Sequence, residues 1–336
     1  MIWLTWRQFR TQAAVVFAVV AALAVTLAVT GPNLSDLYRT AGSSLVDQVS
    51  SSDQSLYYVG LLVVLAVPAV VGMFWGAPLI ARELETGTHY LAWNQGVTRT
   101  RWLAAKLGLG AAAAMTAAGL TSLAVSWWSS PLDRAVNGGG ATDTYFPRLD
   151  PVAFAARGVV PVAHAAFAFV LGVALGLVIR RTLPAMATTF ALYAAVQIVV
   201  PIWIRSHLAA ADRTVLPIEP GGAPISIQDG ARHIIAHLEE VPGSWVTSQQ
   251  TLNASGQPAP VPSSFADCLR TESGPPTLQQ VDGCVADLGA LGYQQQVTYQ
   301  PAGNFWVLQW AETGLYLGLA LALAGFCAWW IRRRAT

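Results

Sequence analysis

Long apolar runs alternate with short polar connections along most of this 336-residue chain. Six runs, at roughly 13–30, 56–80, 107–128, 158–179, 183–204 and 306–331, reach the length of about 20 apolar residues that a helix needs to cross a bilayer. Five hold no Asp, Glu, Lys or Arg, and the sixth holds only Glu312. Soluble core helices of that length keep a polar face, so the pattern predicts six transmembrane helices. Residues 1–12 read differently, with Ile2, Trp6 and Phe9 on one helical face and Arg7 and Arg10 elsewhere. That predicts an amphipathic helix in the inner leaflet ahead of the first span. The first run is too long for the core of a secretory signal and no clean cleavage site follows it before Gly31-Pro32, so it is read as a retained span.

The connections are unequal. Residues 31–55 and 128–157 read as outer loops of moderate length, rich in Ser, Gly and Asp, whereas Arg180-Arg181-Thr182 is nearly all that joins the fourth and fifth runs. Residues 205–305 hold ten of the nineteen prolines and are too polar to enter lipid. The predicted architecture is an all-α polytopic membrane protein. Residues 1–204 form the membrane domain, with a cytoplasmic elbow at 81–106. Residues 205–305 form an irregular extracytoplasmic domain between helices 5 and 6, and 306–336 the last span and a basic tail. Within the outer block, Leu278, Val281, Val285, Leu288 and Leu291 are spaced as an amphipathic helix, and Phe265, Cys268 and Leu269 make a shorter apolar face. Inside the spans, Gly172 with Gly176 and Gly314 with Gly318 are GxxxG pairs that let helix backbones approach, and Pro68 and Pro78 should bend the second span.

Composition sharpens the picture. The chain is 54% hydrophobic and 11% charged, against about 25% charged in a soluble domain. A net charge of +1 hides a strong segregation. With six spans and the N-terminus inside, the cytoplasmic pieces hold eleven basic residues against Glu83 and Glu85, while the two shorter outer loops carry only Arg39, Arg134, Arg148 and Arg157. Positive charge stays on the cytoplasmic side, so both termini are expected inside a bacterial cell membrane. Most of the thirteen Trp fall near span ends, where interfacial aromatics belong. This orientation puts Cys268 and Cys284, the only cysteines outside a span, in an oxidising compartment. A disulfide between the two short helices is the preferred reading, with two buried thiols as the alternative. Closing that loop would constrain the unfolded domain by roughly 3 kcal/mol.

Enzyme chemistry is sparse. No GxxxxGK[ST] loop and no HExxH is present, so neither nucleotide phosphates nor a zincin metal has its usual cradle. His233 and His237 lie four apart, but Ile234 stands where the zincin glutamate would, and a solvated helix face is expected there with no metal. Ionisable or polar groups inside spans are candidates by default: Glu312, about 9 Å into the last span at 1.5 Å per residue, His164 and Gln197. One carboxylate and one histidine are too few for a proton relay. No residue is assigned to covalent catalysis.

The elbow is the densest polar feature. Its six charges, Arg82, Glu83, Glu85, Arg99, Arg101 and Lys106, would oppose insertion by roughly 15–20 kcal/mol. Leu84, Thr88 and Leu91 share a helical face, and Glu85 and His89 are an i, i+4 pair. Gly87 and Gly96 interrupt the helix, and Thr98 or Thr100 can cap the next one. Such a segment could pass force from a soluble partner to the second and third spans.

Glu83, Glu85, Gly87-Thr88, Val97-Thr98-Arg99 and Lys106 resemble the E-x-E-x-G-T … V-x-R … K signature of ABC-2-type permeases, the membrane subunits of ATP-binding-cassette exporters. The wording of 83–107 is particularly similar to actinobacterial members, and the overall plan resembles G-type half-transporters. Gly96 stands where the family often has proline. The resemblance implies two copies of a separate ATPase subunit carrying ATP and Mg, with no cofactor in this chain, and a second permease chain, most simply a homodimer. It implies coupling to the ATPase through Glu83, Glu85, Gly87, Thr88 and Arg99, with Glu83 and Glu85 in polar contact, Gly87 in the tight turn, and Arg99, Arg101 and Lys106 at the lipid headgroups. The implied activity is outward movement of an amphipathic or lipophilic compound such as a drug, with no nucleic-acid partner. A non-transporting receptor or scaffold whose outer domain binds a ligand is the alternative, and an intramembrane hydrolase lacks a residue set within the spans.

Overall fold

A computed structural model describes residues 2–87, 98–139, 145–219, 225–228, 233–236, 243–270 and 277–334. Six of its helical stretches are long and apolar enough to cross a membrane: Arg10–Gln48, Ser51–Glu85, Arg99–Asn137, Val160–Ile179, Thr182–His207 and Ala302–Arg333. They match the six predicted runs, and most extend beyond them.

The first helix, α1 (Ile2–Ala41), is continuous. The expected separate amphipathic helix is therefore fused to the first span, since no glycine or proline precedes Gly31-Pro32 to break it. The two expected outer loops are also mostly helical. A short helix α2 (Leu45–Gln48) follows α1, α3 (Ser51–Val70) begins the second span, and the third-span helix continues to Asn137. Their packing explains the extension: Leu34, Leu45, Val46, Leu132 and Val136 form one buried cluster with Tyr57 and Tyr145, so apolar contacts continue past the purely apolar runs.

The second span is not one regular helix. After α3 the backbone widens into a π-helical stretch, Val71–Gly76, before α4 (Ala77–Glu85). Pro68 lies just ahead of the wide turn, as expected of a residue that withholds one hydrogen bond. Pro78 sits in the first turn of α4, directly after that stretch, where proline is tolerated. The third span is α5 (Arg99–Asn137), and a five-residue helix, α6 (Pro151–Ala155), leads into the fourth. That fourth span, α7 (Val160–Ile179), is buried on nearly every side and forms the hub of the bundle. Its Gly172 and Gly176 lie so close to Gly72 and Ala77 that a Cβ at either would fall within 2.5 Å of a backbone oxygen. The first GxxxG pair thus works as expected, against the second span. Gly314 and Gly318 have open space on their glycine faces, so the second pair makes no such contact within the chain. Arg180, left-handed at φ 59°, ends α7, and α8 (Thr182–Val199) starts at once, closing with another π stretch at Val200–Ile204.

The outer domain corrects the all-α expectation. Strands β1 (Asp212–Pro217), β4 (Trp245–Leu252) and β5 (Gln294–Gln300) form an antiparallel sheet in the order β1-β5-β4, and β2 (Ile225–Gln228) pairs with β3 (His233–Ala236) as a second ribbon. His233 therefore lies on a strand and not on a helix, while His237 lies outside the described residues. Two helices, α9 (Ser263–Cys268) and α10 (Leu278–Ala290), pack Phe265, Cys284, Val285 and Leu288 into a small core, joined by the Cys268–Cys284 disulfide. The sheet is fastened to the end of the fifth span. Gln300 Nε2 donates to the carbonyls of Ser206 (3.2 Å) and Ala209 (3.0 Å), and Asn304 donates to Ala210 (2.9 Å). The sixth span, α11 (Phe305–Arg334), follows directly.

Candidate functional site

At the C-terminal end of the second span, α4 buries Ala77, Ile80 and Ala81 against the bundle and leaves its polar face for contacts to other spans. Glu83 pairs with Lys106 of α5 at 2.5 Å. Lys106 also donates to the Leu79 carbonyl at 3.2 Å and lies 4.7 Å over the Trp102 ring. With its side chain only 4% exposed, Lys106 is an interhelical tie and does not sit at the lipid headgroups as expected. Glu85 Oε2 accepts from the Thr182 backbone N–H (3.0 Å) and hydroxyl (2.7 Å). That places a carboxylate at the N-terminus of α8, where the helix dipole favours it. One turn of α4 is thereby fixed to three other spans, because Thr182 also ends the tight connection from α7.

The turn after α4 has the expected form where it is described. The Thr86 N–H closes on the Arg82 carbonyl, and Gly87 takes φ 72°, a left-handed conformation that costs glycine little. Thr88, His89, Leu91, Gly96 and Val97 lie outside the described residues. Leu84 packs against the main core, and Thr98 caps α5 by accepting from the Arg101 N–H at 3.4 Å, so Arg99 begins that helix.

Toward the opposite end of the bundle, the three intramembrane candidates meet in one network. Glu312 is fully buried and takes two bonds from the Arg205 guanidinium, at 2.7 and 3.0 Å. Arg205 also donates to the Pro151 carbonyl (3.3 Å) and lies 4.3 Å over the Phe154 ring. The Tyr316 hydroxyl donates to Gln197 Oε1 at 2.5 Å, which turns the Gln197 amide nitrogen toward the Tyr193 hydroxyl (2.8 Å) and His164 Nδ1 (3.1 Å). With Nδ1 accepting, the proton of neutral His164 belongs on Nε2, 3.5 Å from Glu312. A second buried set lies nearby: Asp133 is 3.5 Å from Arg157 and 3.8 Å from Arg148.

The first network floors a cleft of about 950 Å³ between the second and fifth spans, walled by apolar side chains such as Leu62, Leu65, Met73 and Ile198. Tyr58, His164, Tyr193, Gln197 and Arg205 are the polar elements among its described residues. Pro151 lines it as well, on a helix capped by Asp150, which accepts from the Val152 N–H at 2.9 Å. Burial raises the Asp150 carboxyl above its usual value despite that cap. Among the described residues no group of three or more His, Cys, Asp or Glu gathers to hold a metal.

The ABC-2 membrane transporter related family model matches residues 17–205, more than half of the chain. The chain belongs to that family. Its members are membrane subunits of transporters. Comparison with curated proteins and with solved structures returned no match. In this ABC-2 permease the match covers the first five spans and ends at Arg205, so the outer domain and the sixth span lie beyond it.

Sequence reasoning on the ABC-2 permease named Glu312, His164 and Gln197 separately, and the fold joins them. It missed Arg205, Tyr193 and Tyr316, and it read Arg157 as a solvated loop charge although Arg157 is 1% exposed. One signal was available: a carboxylate in a span requires a counter-charge, and Arg205 follows the fifth run without an intervening residue. Glu83 and Glu85, expected to touch a partner, are both engaged within the chain.

Proposed function

We propose that this ABC-2 permease is the membrane subunit of an exporter that moves an amphipathic or lipophilic compound outward, driven by a separate ATPase that docks on the elbow at 81–106. Two ATPase chains and a second copy of the permease complete the transporter. The observation that carries the reading is the wiring of the elbow. Glu83–Lys106 and Glu85–Thr182 fix the end of the second span to the third and to the start of the fifth, and the second and fifth spans are the walls of the cleft. A displacement of the turn after Glu85 is therefore delivered to both walls, because packed helices shift as units rather than deform. The cleft supplies an apolar surface with a few polar groups at one end, the usual make-up of a small-molecule site.

Co-reconstitution with the cognate ATPase in vesicles tests this. ATP hydrolysis stimulated by a lipophilic fluorescent compound, with ATP-dependent accumulation of that compound in inside-out vesicles, is expected. ATP hydrolysis that ignores the permease, or a permease that fails to retain the ATPase on purification, would overturn it.

A further inference from the structure

The cleft between the second and fifth spans adjoins another. A second cleft of about 480 Å³ lies between the outer end of the fifth span and the sheet, and Pro151, Pro201 and Ile202 line both. The two halves differ in chemistry. Below these shared residues the walls are aliphatic and aromatic; above them lie Ser206, His207, Arg213, Ser248 and Thr298. Three of the upper residues form a row across the sheet, since Arg213 pairs with Thr298 and Thr298 with Ser248 across β1, β5 and β4. Alternation turns the neighbouring Asp212, which pairs with Tyr299, to the opposite face.

Neither cleft has a carboxylate in its lining. The Arg205 charge is already neutralised by Glu312. Arg213 is exposed, and among the described residues no carboxylate pairs with it. It lies on the sheet, past Trp203, the exposed interfacial aromatic that closes the fifth span. A phospholipid held in the bilayer keeps its headgroup at the level of such aromatics. A free amphiphile leaving the membrane can reach the sheet.

We propose that the joined clefts bind an anionic amphiphile, its apolar part between the second and fifth spans and its acidic head on the row of Arg213, Thr298 and Ser248. This names the class of cargo and, in calling it cargo, rests on the transport reading above; the site itself does not depend on an ATPase.

Photolabelling of the permease alone, in detergent micelles, tests the site. The probes are a diazirine-bearing palmitate and the matching alcohol, with labelled peptides mapped by mass spectrometry. The acid is expected to label the second and fifth spans around Leu62 and Ile202, with protection by unlabelled palmitate. Arg213→Gln should weaken that protection roughly fivefold, Arg213→Lys should restore it, and high salt should reduce it. Labelling by the alcohol should be unchanged by Arg213→Gln. Equal labelling by acid and alcohol, indifference to Arg213→Gln, stronger labelling by a matched alkylammonium, or equal protection by phosphatidylglycerol would each overturn the proposal. Because no ATPase is present, a failed transport assay with intact labelling would count against the exporter reading and not against the site.

Discussion

Glu312→Gln removes one charge from the most deeply buried ion pair near the cleft while keeping the shape of the side chain. Arg205 stays protonated at any accessible pH and would be left with one neutral amide oxygen, the Pro151 carbonyl and the Phe154 ring, none of which carries the opposite charge. Both side chains are at most 1% exposed and share two bonds of 2.7 and 3.0 Å, so the guanidinium would stay buried with its charge uncompensated. Breaking a pair of this kind by removing one partner costs about 3–5 kcal/mol, whereas replacing both by apolar groups of similar volume is far less harmful. Glu312→Gln and Arg205→Met are each expected to lose at least about 3 kcal/mol, and Arg205→Met combined with Glu312→Gln should lose well less than the sum of the two. Unfolding of the purified permease by titration with a denaturing detergent, followed by tryptophan fluorescence, gives all four corners of the cycle. A Glu312→Gln protein within about 1 kcal/mol of the parent, or strictly additive single losses, would refute the reasoning.

Other consequences follow from single contacts. Lys106→Met should break the ion pair with Glu83 and lower stability by about 1–3 kcal/mol, and adding Glu83→Gln should recover part of that loss in the same titration. Gly172→Leu would drive a side chain into the backbone of Gly72 and Ala77 and should prevent a monodisperse size-exclusion peak, whereas Gly314→Ala meets open space and should leave the peak intact. Cys268→Ser with Cys284→Ser removes the link between α9 and α10, which should lower the domain's stability by roughly 3 kcal/mol and make the segment near α10 cleavable by low protease concentrations while the spans remain protected.

The spans were legible because lipid accepts so few sequences: about 20 apolar residues without charge leave little else to be. The polarity of the connection at 81–106 was plain for the opposite reason, since six charges in so short a stretch are costly to place in lipid. The disulfide followed from two cysteines and a topology. The sheet was hidden by its own composition. Its central strand β5 reads QQQVTYQ and buries Gln295 beside Val297 on one face and Gln300 on the other, so polar residues mark both faces and the hydropathic period of two is lost. The buried network was hidden by distance along the chain. Arg205 and Glu312 are separated by the whole outer domain, and nothing in either neighbourhood announces the other. Lys106 was misplaced because a lone lysine at the end of an apolar run reads as a headgroup anchor, and only the packing of α4 on α5 brings Glu83 and Leu79 to it.

The inner elbow as the docking point of an ATPase is tested most directly by a single accessible cysteine. Thr86→Cys, at the turn after α4, can be treated with a membrane-impermeant maleimide in intact cells, in inside-out vesicles, and in inside-out vesicles loaded with the cognate ATPase. Reaction confined to the inside-out vesicles, and suppressed when the ATPase is bound, is the expected result. Reaction in intact cells, or no protection by the ATPase, would contradict it.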